Sequence, residues 1–92
     1  MEKGDRALME YIVLEELTDD RVAYRYYPEG KKEKIKEYGI VSLMRKKTTQ
    51  RRNIDKICEE DEFKTYAFHA LSRLEEYQGE NEFPEKDLIA WY

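Results

Sequence analysis

The chain has 92 residues, 41% of them charged and 40% apolar, and its twelve aromatic residues (eight Tyr, three Phe, one Trp) exclude a disordered polar chain. Its length suits one domain, residues 1–92, able to bury roughly two-thirds of the surface exposed when unfolded. A net charge of −4 argues against a dedicated nucleic-acid domain, and the single cysteine, Cys58, excludes an internal disulfide and a multi-cysteine metal site.

No apolar run approaches the roughly 20 residues of a membrane span, and residues 1–5 lack the apolar core of a secretory signal. A cytoplasmic location is the simplest expectation. Residues 7–17 are rich in Leu, Ile, Val, Met and Tyr and run into Thr18, Asp19 and Asp20, whose short side chains bond to turn backbone. They predict a first strand and a tight connection. Over 21–27, Val22, Tyr24 and Tyr26 alternate with Arg21, Ala23, Arg25 and Tyr27, the period of a second strand. Pro28 and Gly30 then mark a turn.

A third strand is expected over 38–45, with Gly39 as a bulge, then a basic hairpin tip over 46–53. Residues 53–59 alternate weakly through Ile54, Lys56 and Cys58 and predict a fourth, edge strand. Over 61–79, Phe63, Tyr66, Ala67, Ala70, Leu71, Leu74 and Tyr77 fall on one stripe at about 100° per residue, the pattern of an amphipathic helix. Asp61 is its expected N-cap, Glu59, Glu60 and Glu62 suit the positive end of its dipole, and Gly79 suits its left-handed closing position. In 83–92, Pro84 at a first helical turn predicts a short helix, with a terminal strand as the alternative. The expected fold is α+β: an antiparallel meander of about four strands followed by one long helix packed on one face, with a short C-terminal helix or strand.

Strands one and three are apolar on both faces, with Tyr11 and Val13 opposed to Ile12 and Leu14, and Ile40 and Met44 opposed to Val41 and Leu43. One helix covers one face. The second needs the C-terminal segment, a second copy of the chain or another protein.

Catalytic signatures are missing from the sequence. His69, Ser72 and Glu76 share one polar helix flank, which supplies neither the bridging geometry nor the oxyanion donors of a triad. Cys58 and His69 are too few for structural zinc, the contiguous acids 59–62 lack the spacing of a calcium loop, and no glycine-rich phosphate loop occurs. No cofactor, metal or catalytic residue is assigned. What stands out is charge segregation: residues 31–52 carry +7 and the remainder −11. Arg45, Lys46, Lys47, Arg51 and Arg52 could reach an acidic partner or phosphates, and Tyr24 and Tyr26 could stack bases, although their alternation matches a core face equally well. The favoured function is a small non-enzymatic protein-interaction or regulatory module, with self-association as one route. The alternative is a nucleic-acid-binding accessory protein using the basic hairpin 45–52. A membrane partner is not expected.

Overall fold

A computed structural model of the chain describes residues 8–28, 38–46, 51–59, 61 and 63–91. The elements run β1 (Leu8–Leu17), β2 (Arg21–Pro28), β3 (Gly39–Met44), β4 (Arg51–Lys56), α1 (Thr65–Glu80) and β5 (Lys86–Trp91). All five strands form one antiparallel sheet in the order β4-β3-β2-β1-β5, and α1 packs on one face of it. The fold is α+β, and among the described residues no helix is long and apolar enough to cross a membrane.

Local chemistry explains the connections. Thr18 Oγ1 accepts the backbone N–H of Asp20 and Arg21 at 3.2 and 3.1 Å, which closes the β1–β2 turn. Gly39 stands opposite Tyr26, and a β-carbon there would fall 2.1 Å from the Tyr26 ring. Only glycine lets the ring fold across β3. Gly39 pairs in register and is not the bulge expected there; the β3–β4 register shift leaves Asp55 of β4 unpaired between Ile40↔Lys56 and Val41↔Ile54, and a second shift interrupts β1 between Leu14 and Glu16.

Helix α1 begins later than the spacing predicts. Lys64 adopts a left-handed conformation (φ 61°) that separates Asp61 from the first turn, so Phe63 lies outside the helix and is 82% exposed. Asp61 still serves the helix end, its carboxylate accepting the N–H of Tyr66 and Ala67, both at 2.9 Å. Glu60 and Glu62, assigned to the dipole, lie outside the described residues. At the other end Asn81 (φ 56°), not Gly79, takes the left-handed position: its N–H reaches Gln78 O and the Glu82 N–H reaches Tyr77 O, a Schellman closure. Gly79 remains inside the helix.

The buried helix stripe of Ala67, Ala70, Leu71, Leu74 and Tyr77 rests on Ile12, Val22, Tyr24, Tyr26, Val41, Leu43 and Ile89. Two expectations change. The fourth strand covers Arg51–Lys56, which puts Arg51 and Arg52 in the sheet and leaves Cys58 buried in the loop after it. The C-terminal segment is a strand, the alternative to the short helix: Lys86–Trp91 pairs with β1 from Leu8↔Trp91 to Val13↔Lys86. It therefore widens the sheet instead of covering its second face. Among the described residues no helix or strand crosses that face.

Candidate functional site

The basic residues expected to form one patch are dispersed. Arg45 is built into the fold: Nη1 donates to Thr18 O at 2.7 Å, Nε to Gln78 Oε1 at 3.2 Å and Nη2 to Asn81 Oδ1 at 3.3 Å, while its guanidinium lies 4.9 Å from the Phe83 ring. It ties the β1–β2 turn to the end of α1. Lys46 is exposed and sits 3.3 Å from Asp20. Lys47 lies outside the described residues, and Arg51 is placed by its backbone, opposite Met44. Arg52 points to the helix side, 3.2 Å from Glu75 and 5.9 Å from the Phe68 ring.

Tyr24 and Tyr26 are fully buried beneath α1. Tyr24 donates its hydroxyl to Pro84 O at 2.5 Å and packs 5.6 Å from the Tyr77 ring. The Tyr26 hydroxyl donates to Asp61 Oδ2 at 3.1 Å and accepts the Cys58 N–H at 3.2 Å. Burial, with the Asp87 charge beside Tyr24 and the Asp61 charge beside Tyr26, pushes both phenols well above their usual range. These rings follow the core period and cannot stack bases in the folded chain, which corrects the stacking role weighed for them.

The surface left open is the sheet face opposite α1, and the pairing defines its rows. Leu88, Tyr11 and Tyr27 form one row, and Lys86, Val13, Arg25, Ile40 and Lys56 a second. Beyond them lie Ala23 with Ser42 and Arg21 with Met44. Tyr11, Val13, Ile40 and Met44 are half-buried and Leu88 is 51% exposed. Charge is interleaved with these apolar side chains, Arg25 between Val13 and Ile40 and Lys86 and Lys56 at the ends of the same row. Arg25 pairs with Glu15 at 2.8 Å, and Arg21 pairs with Asp55 at 2.6 Å and with Glu16. Tyr38 packs 5.7 Å from the Tyr27 ring, with the Arg25 guanidinium 5.4 Å and the Lys56 ammonium 3.9 Å from its centroid. Such cation–π contacts hold the long Arg25 and Lys56 side chains beside the Tyr38 ring.

A buried acid, Glu10, lies under the helix. Glu10 alternates in phase with Ile12 and Leu14, faces the helix, is fully buried, and has no hydrogen-bond partner for either carboxyl oxygen among the described residues. Burial first, then the Asp61 charge, pushes its pKa up to about 9 against the opposing pull of Arg73. Glu10 is therefore a neutral acid at pH 7. The signal was a lone carboxylate at a core-phase position of an apolar strand.

A cavity of about 400 Å³ is lined by Tyr77, Glu80, Glu82, Phe83 and Pro84 at the end of α1. His69 on α1 is half-buried, and burial lowers its pKa. Among the described residues no three His, Cys, Asp or Glu side chains gather to hold a metal ion. Compared with protein-family models, curated proteins and solved structures, the chain matches none, so its function must be argued from its own surfaces.

Proposed function

We propose that this chain is a non-enzymatic protein-interaction module that docks a protein partner on the sheet face opposite α1. The observation that carries this reading is the second apolar layer: Tyr11, Val13, Ile40, Met44 and Leu88 share a face that no described helix or strand crosses. Its make-up supports a protein ligand. Tyr, Met and Arg are enriched at the centres of protein interfaces, and Arg25, paired with Glu15, stands between Val13 and Ile40 in the middle of this face. The nucleic-acid alternative has lost its two stacking tyrosines to the core and Arg45 to the end of α1.

Site-specific photo-crosslinking in cells tests the reading. A benzophenone amino acid at Ile40 should give a discrete protein adduct, whereas the same group at Ser72, exposed on α1, should give none. Equal adducts from both positions, or none from Ile40, would show that this face is not a docking surface.

A further inference from the structure

We infer that the outer edge of β5 pairs with the β5 of a second copy of this chain, joining two sheets into one; this rests on the protein-interaction reading and names one partner for it.

Leu14 N–H donates to Glu85 O at 2.8 Å, which marks residues 14 and 85 as a hydrogen-bonded pair of the antiparallel ladder. Such pairs alternate along the ladder, so Ile12 with Asp87 and Glu10 with Ile89 continue the series. The N–H and C=O groups of Asp87 and Ile89 therefore face β1, and those of Lys86, Leu88 and Ala90 face outward. Asp87 Oδ1 now accepts the outward Leu88 N–H at 2.9 Å, holding the donor that a partner strand's carbonyl would take.

The sheet's two edges differ. On β4 the edge sequence is Arg51, Arg52, Asn53, Ile54, Asp55 and Lys56, a charged strand of the type that blocks edge pairing. On β5, Leu88, Ile89, Ala90 and Trp91 follow one another with no charge among them. Leu88 is 51% exposed and Ala90 is exposed. The less charged edge, which carries only Lys86 and Asp87, is the one that pairs.

Register selects a second copy. Antiparallel pairing that uses every outward peptide group sets Leu88 against Leu88 of the second copy and Lys86 against its Ala90, about a twofold axis normal to the sheet. No like charges then stand directly opposite each other, because the two Lys86 lie at opposite ends of the joint and each Asp87 faces an isoleucine. The axis keeps both helices on one side and makes the two open faces continuous.

Light scattering on a sizing column, from micromolar to millimolar chain, decides the matter. The expected result is a mass that rises to twice 11.2 kDa with concentration. Ala90→Pro removes an outward N–H and no bond to β1, so it should hold the chain at 11.2 kDa with an unchanged far-ultraviolet spectrum. Leu88→Lys, at an exposed side chain, should weaken the dimer about tenfold or more and serves if the proline variant does not fold. Ile40→Lys, on the open face, should leave the dimer intact. A chain that stays monomeric, or a dimer that survives both Ala90→Pro and Leu88→Lys, would overturn edge pairing. So would a dimer lost only in Ile40→Lys, but that result would support the docking face. The crosslinking test at Ile40 stands whatever the edge does.

Discussion

The two faces of the sheet are made by the same alternating strands, yet one is sealed and the other is open. On the sealed side, α1 brings its own apolar stripe over Val22, Tyr24, Tyr26, Val41 and Leu43, and the tyrosine hydroxyls find Pro84 and Asp61. On the open side, Ala23 and Ser42 are 1% exposed and Tyr27, packed against Tyr38, is 4% exposed, although no described helix or strand lies above them. The difference shows that alternation alone fixes which residues share a face. What comes to lie on that face is decided by the next element in the chain.

Substitution separates the faces most sharply at the core. Leu74→Ala empties a fully buried site between α1 and the sheet and should cost about 2–5 kcal/mol in denaturant unfolding. A loss below about 1 kcal/mol would mean that the helix side is not the principal core. The second contrast is the acid inside that core. Glu10 is protonated in the fold well above its ordinary value of 4.5, so the stability its proton contributes is complete below that value and is lost as pH rises through about 9. Between those limits the fold should lose up to about 1.4 kcal/mol per pH unit, and Glu10→Met should flatten the profile and gain about 1–3 kcal/mol at neutral pH. Equilibrium unfolding of both proteins at pH 5, 7 and 9 checks the sign; parallel profiles would place the titration elsewhere. The smallest effect belongs to the open face. Ile40→Thr, half-buried and away from α1, should change stability by less than about 1 kcal/mol. A larger loss would show that the open face is itself core.

Much of this arrangement was legible in the residues. The period-two pattern of Val22, Tyr24 and Tyr26 and the helical stripe through Ala67, Ala70, Leu71, Leu74 and Tyr77 both mark the buried sides, because each is a local signal of one element. The end of the chain was harder. Pro84 suits a first helical turn, but Leu88–Trp91 is also an apolar extended run, and the choice between them is made by the β1 edge, far away in sequence. Arg45 could not be recognised as a structural clamp for the same reason: Thr18, Gln78, Asn81 and Phe83, which hold it, are all distant along the chain. Phe63 misled because a left-handed Lys64 is not visible in a helical wheel.

The strand order has a consequence for how the molecule assembles. Three of its four pairings join strands that follow one another, so β1–β2, β2–β3 and β3–β4 can each close as hairpins on the microsecond scale. The fourth, Leu8 with Trp91 through Val13 with Lys86, must bring nearly opposite ends of the described chain together and bears the largest loop-closure entropy. The meander and helix can therefore form while the outer side of β1 still lacks its partner. During that interval β1, a long and largely apolar strand, is an unpaired template, and the rate at which β5 docks sets how long the nascent fold is open to aggregation.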